Sequence, residues 1–109
     1  MTSSDLNAPH CHAVPEAGDK TAVQPDKKRL VSRLNRIEGQ VRGIARMVDE
    51  DRYCVDILTQ LGAIRAALDG VAMQLLENHA NGCVAKAIGA GKGEDAIAEL
   101  MDVVRKLKS

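Results

Sequence analysis

Three side chains in this sequence have the types and spacing to bind a metal. Cys54 lies in "DRYCVDIL", and His79 and Cys83 lie in "ENHANGC". Positions four apart on a helix share a face, so His79 and Cys83 can present an imidazole and a thiolate to one ion. By itself this pair also fits two ordinary packed or solvated side chains. Cys54 adds to it. It stands 25 residues before His79, and at about 100° per residue 25 residues return to within about 20° of the same face. At about 1.5 Å per residue, however, a continuous helix holds the two about 37 Å apart. One chain cannot close the site unless that helix folds back. A second copy, packed antiparallel about a two-fold axis, can. The pairing centre then falls near residue 67 or 68, beside the small residues Ala63, Ala66, Ala67 and Gly70. The symmetry generates two equivalent sites.

Two thiolates and one imidazole form a soft donor set. Such a set selects Cu(I), with Zn(II) as the common competitor. Zn(II) usually takes a fourth ligand. The alternative is that Cys54 and Cys83 are ordinary buried cysteines. A second cluster, His10, Cys11 and His12, lies in "PHCH" near the N-terminus. It can act as an auxiliary chelate that supplies a fourth ligand and moves selectivity towards Ni(II) or Zn(II), or as an incidental metal scavenger.

The elements that position these residues are helices. Residues 1–25 hold all three prolines and no apolar period, which predicts a flexible tail ahead of one domain over 26–109. Leu30, Leu34, Ile37, Val41, Ile44 and Val48 recur at intervals of three and four, as an amphipathic helix requires. Asp26 is the predicted cap of that helix and Asp51 that of the next. The second helix is predicted from Arg52 to the high 80s. "GAGKG" ends it, and a shorter helix follows from Glu94 to Leu107. The reading is all-α, with three helices, long, longer and short, and no strand. One Tyr, no Phe and no Trp leave a thin aliphatic core, so association is expected. No apolar run is long enough to span a membrane. No basic-then-apolar leader is visible, and three cysteines do not suggest a disulfide framework. A cytoplasmic protein with reduced thiols is the expectation.

Net charge is zero, but residues 27–47 carry seven Lys/Arg and one acid. Arg29, Arg33 and Arg36 share one flank of the first helix, and Lys28, Arg42 and Arg46 share the other. A one-sided excess of this size fits a polyanion, through phosphate contacts that position without reading sequence. No helix-turn-helix, zinc-finger or ribbon pattern accompanies it.

From Lys27 to about Leu107 the sequence resembles the CsoR/RcnR family of metal-sensing repressors. "RLNRIEGQVRGIARMVDEDRYCVDILTQLGAI" is similar to the family's most typical stretch. The ordered set Cys54, His79 and Cys83 resembles that of its copper(I)-sensing branch. The nickel/cobalt branch places His where Cys83 stands. The resemblance implies an antiparallel helical-bundle dimer, paired again into a tetramer, that represses until metal binds. It implies Tyr53 and Glu99 as outer partners of the ligand His, and Arg33 as a contact to a G/C-rich operator. A basic position the family has near Met73 is missing here.

Three classes of function remain on these residues. The first is a copper(I)-responsive repressor. The second is a helical copper-storage or chaperone protein, which has no use for a basic helix. The third is an enzyme with a Cys–His pair, which lacks an orienting third group, an oxyanion loop and a pocket. No catalytic residue is therefore assigned.

Overall fold

A computed structural model of the chain describes residues 21–108 and the backbone of residues 10–12. Its elements are β1 (His10–His12), β2 (Thr21–Val23), α1 (Lys27–Asp49), α2 (Cys54–His79), a π-turn (Ala80–Val84), α3 (Ala85–Gly89) and α4 (Gly93–Lys108). Helices dominate, as the periodicity predicts. The second predicted helix is α2, the π-turn and α3 in succession. His79 and Ala85 keep right-handed helical dihedrals on either side of the π-turn, so the path continues and only its hydrogen-bond step widens.

Three local features differ from the sequence reading. A short antiparallel pair replaces the absence of strands, with His10 opposite Val23, Cys11 opposite Ala22 and His12 opposite Thr21. Three residues are too few to show alternation, so these strands carry no readable pattern. Asp26 stands at the N-cap of α1, but its side chain makes no cap hydrogen bond. Its carbonyl instead accepts from the Leu30 N–H at 3.0 Å. Asp51 does not cap α2. It closes α1, in the left-handed region at φ 58°. The Arg52 N–H donates to the Met47 carbonyl at 2.9 Å and the Asp51 N–H to the Val48 carbonyl at 3.1 Å. Those two bonds define a Schellman turn, and Asp is among the few non-glycine residues that tolerate its left-handed position.

The chain divides into two compact units, residues 26–75 and residues 1–25 with 76–109. In the first, Leu30 and Ile37 of α1 meet Ile64 and Val71 of α2, with Ile44 and Ala67 packed alongside. Burial of such side chains contributes about 1.5–3 kcal/mol each. Only half of the α1 stripe is used in this way. Leu34, Val41 and Val48 stay exposed, as do Leu58, Leu61, Leu68 and Leu75 of α2.

In the second unit the π-turn lies against α3, α4 and β1. Gly82 and Val84 are its buried residues. "GAGKG" breaks the helix as predicted. Gly91 takes φ 79°, and the Lys92 N–H donates to the Ala87 carbonyl at 2.7 Å, a second Schellman turn. Gly93 then starts α4 so close to α3 that a Cβ would lie 2.8 Å from Ile88 Cγ1 and 3.2 Å from Ile88 Cα. The backbone atom cannot step aside. Gly93→Ala should therefore destabilise the fold by about 1–3 kcal/mol, read as a lower urea midpoint. Ala at Gly43, where a Cβ would have nothing within 4 Å, is the control that should lose no stability.

Candidate metal centre

Cys54 owes its place to the end of α1. The Schellman turn at Asp51 reverses the chain, and the Tyr53 carbonyl then accepts from the N–H groups of Asp56 and Ile57 at 3.1 and 3.3 Å. This starts α2 with Cys54 as its first residue. The Cys54 thiol is free and exposed, and the Tyr53 ring beside it is 69% exposed. His79 is the last residue of α2 and is half-buried. Asn78 before it is only 6% exposed, and its amide donates to Gln24 Oε1 at 2.8 Å. Nothing in the sequence pattern pointed to either of these two residues.

Cys83 sits half-buried in the π-turn, between buried Gly82 and Val84. In an α-helix, positions four apart are offset by about 40°. A turn closed by i→i+5 bonds holds more residues, so the offset between His79 and Cys83 differs there from that of an α-helix. Such turns recur at functional sites. One feature corrects the expectation of reduced thiols throughout: the Cys83 sulfur is disulfide-bonded. Cys83 fits a thiolate donor set once that bond is reduced.

Among the described residues, no three His, Cys, Asp or Glu side chains of one chain gather to hold a metal ion. The reason is visible in α2, a single helix that begins at Cys54 and ends at His79. What the helix does share along its length is a face. By its 100° step, Cys54, Leu61, Leu68 and His79 fall within about 40° of one another, and Leu61 and Leu68 are exposed. Both ends of the prospective site thus border an apolar seam that the single chain leaves uncovered.

The small residues of α2 serve its own chain at two positions. Ala67 packs on the α1–α2 core. Gly70 clears a path for Arg33, whose Nη2 lies 2.9 Å from where a Gly70 Cβ would stand. Arg33 is consequently half-buried, whereas Lys28, Arg29, Arg36, Arg42 and Arg46 are exposed. Arg42 faces Glu38 at 3.6 Å, with both side chains about two-thirds or more exposed; such a pair contributes little and leaves the cation available. Glu99 is exposed on α4. The side chains of His10, Cys11 and His12 lie outside the described residues.

The family model for "Metal-sensitive transcriptional repressor" matches residues 26–106. The chain belongs to that family. Its members are repressors, not enzymes. The copper-sensing transcriptional repressor CsoR of Bacillus subtilis is 59% identical over 81 residues, covering 74% of this chain and 80% of that protein. The copper-sensing repressor RicR of Mycobacterium tuberculosis is 47% identical over 83 residues, covering 74% and 86%. In structure, the Cu(I)-bound CsoR of Geobacillus thermodenitrificans NG80-2 superposes with a TM-score of 0.75 at 47% identity, over 95% of this chain and 99% of that one. The nickel-responsive regulator InrS gives 0.63 at 43% identity, over 72% and 89%. As in the sequence reading, no described helix of this repressor is long and apolar enough to cross a membrane.

Thiol labelling follows directly from the two cysteine states. Alkylation of the unreduced protein should modify Cys54 and spare Cys83, and prior reduction should expose both. Labelling of Cys83 without reductant, read by peptide mass, would contradict the structure.

Proposed function

We propose that this repressor senses Cu(I) at a site shared between two chains, built from Cys54 of one and His79 and Cys83 of the other. The observation that carries this reading is that Cys54, His79 and the exposed Leu61 and Leu68 fall on one side of a single continuous helix by its 100° step. A second copy that covers the seam antiparallel brings opposite helix ends together. Contiguous exposed apolar surface of this kind marks an interaction site. The copper-sensing relatives support the metal, and soft donors favour it. The likeness to InrS supports Ni(II) as a second reading; Zn(II) remains the chemical competitor of the thiolates. The protein acts in the cytoplasm, as a dimer or a tetramer of paired dimers.

Bound Cu(I) would tie the two chains through one soft ion. The rest is the work of protein groups. A ligating imidazole normally gives its second nitrogen to a carboxylate or similar acceptor, which fixes its ring. Glu99 and the partner's Tyr53 are the candidates for His79. Lys28, Arg29, Arg33, Arg36 and Arg42 form the face for operator phosphates, with G/C-rich DNA as the proposed target. The repressor holds its operator when metal-free and leaves it when loaded. By linkage, metal must then bind more weakly on DNA than off it, by the same factor, ordinarily about 1–3 kcal/mol.

Subunit mixing tests the shared site. A Cys54→Ala chain and a His79→Ala/Cys83→Ala chain should each lose tight Cu(I) binding, and their heterodimer should regain one site. No recovery after verified exchange would rule out sharing. X-ray absorption should show two sulfurs and one nitrogen around copper; only light-atom neighbours would sink the donor assignment. A competition titration with Ni(II) and Zn(II) against a Cu(I) chelator decides the metal.

Arg29→Ala/Arg36→Ala should weaken operator binding and flatten its salt dependence, because each lost phosphate contact releases fewer counterions. Metal affinity should stay unchanged. Fluorescence anisotropy across a salt series measures this, and an unaltered slope would remove these two arginines from the DNA face.

A further inference from the structure

Cys83 carries an observation that metal sensing does not use. Its sulfur is in a disulfide while Cys54 is a free thiol. The sequence has three cysteines, and the remaining one is Cys11. Backbone placement brings the Cys11 segment to Cys83. β1, with Cys11 at its centre, lies against the π-turn Ala80–Val84 that contains Cys83. It is held there in steps. β1 pairs with β2, Cys11 opposite Ala22 and His10 opposite Val23. Gln24 directly follows β2, and its Oε1 accepts the 2.8 Å hydrogen bond from Asn78. Asn78 is buried at the end of α2, five residues before Cys83. A buried amide that lost this partner would be costly, so the bond is a firm anchor.

We propose that Cys11 and Cys83 of one chain form a reversible disulfide that withdraws Cys83 from the metal site. Its regulatory consequence rests on the copper reading above; the thiol pair does not. The oxidant is a low-molecular-weight disulfide, RSSR. One protein thiolate attacks a sulfur of RSSR, forming a mixed disulfide and releasing RS⁻. The second protein thiolate attacks the protein sulfur of that mixed disulfide and expels the other RS⁻. Two protein thiols lose two protons and two electrons, and RSSR becomes two RSH. With the bond closed, the shared site keeps one thiolate and one imidazole and loses its tight hold on Cu(I). The repressor then stays on its operator whatever the copper level. Reduction restores the sensor.

The test uses the full-length protein, oxidised with glutathione disulfide, alkylated, and mapped without reduction. The expected product is a Cys11–Cys83 cross-link within one chain, with loss of Cu(I) binding that a dithiol reverses. Cys11→Ser should keep Cu(I) binding through the same treatment. Asn78→Ala, which releases the anchor of β2, should lower the cross-linked fraction while the reduced protein still binds Cu(I). A link from Cys83 to Cys54, persistent mixed disulfides at Cys11 and Cys83, or a Cys11→Ser protein as sensitive as wild type would each overturn the proposal. Reduced protein that never binds Cu(I) would overturn the copper reading, and with it the withdrawal, even where the Cys11–Cys83 link is mapped.

Discussion

The length of α2, an unbroken helix of 26 residues with Cys54 first and His79 last, is the constraint on which the proposed site depends. Its interior N–H and C=O groups pair within the helix, while the N–H groups of Asp56 and Ile57 donate to the Tyr53 carbonyl before it; folding the helix back on itself would break several of the interior bonds. At about 1.5 Å per residue, 25 residues of helix correspond to about 37 Å between the two proposed donors. On the proposed reading, such a chain completes its metal site only with a second copy. The same helix also explains why the isolated chain leaves so many leucines in water. Ile64 and Val71 are buried against α1, whereas Leu61 and Leu68, rotated by a fraction of a turn, are not. The helix has one face for its own chain, and the other, exposed in the single chain, is the one proposed to meet a second copy.

Packing within the chain then fixes what the second face can present. Half of the α1 stripe goes into the hairpin core, and Arg33 is drawn in beside it because Gly70 lacks a side chain. Arg33 therefore differs from Arg29 and Arg36, which stand in solvent. A cation partly covered by its own fold loses less rotamer freedom on meeting a phosphate than a free one. The protein-wide charge of zero hides this entirely, since seven of the fifteen basic residues but only two of the fifteen acids sit on α1.

Much of this was legible in the sequence, and what was not has physical reasons. Three helices could be read because their apolar residues repeat every three or four positions over long spans, and "GAGKG" could be read as a break because glycine supplies the left-handed turn that Gly91 adopts. Asp51 was read as the cap of the next helix and instead closes α1, since aspartate suits both an N-cap and, less often, a left-handed C-terminal position. The π-turn has no compositional mark. It arises where the chain must seat Gly82 and Val84 inward, and a local pattern cannot announce that. The β1–β2 pair failed for the opposite reason, being too short to show a period. The ligand trio stays a proposal that rests on spacing along a helix, which is arithmetic in the sequence. Asn78 and Gln24 were not legible, because a hydrogen bond across 54 residues leaves no trace in either neighbourhood.

Two claims on one sulfur meet at the π-turn, and they exclude each other. A thiolate given to a metal cannot also be a disulfide sulfur, and a disulfide sulfur is no longer a strong soft donor. Mutual exclusion is itself a coupling. Whatever occupies the reduced state stabilises it by RT ln(1 + [L]/Kd), so a ligand at 100 times its Kd shifts the thiol–disulfide balance by about 2.7 kcal/mol towards the thiols. For a two-electron couple that is about 60 mV. A site of this construction would report metal and redox poise as one quantity rather than two. The geometry that permits this is modest: one strand, anchored through Gln24 and Asn78, laid against the turn that carries Cys83.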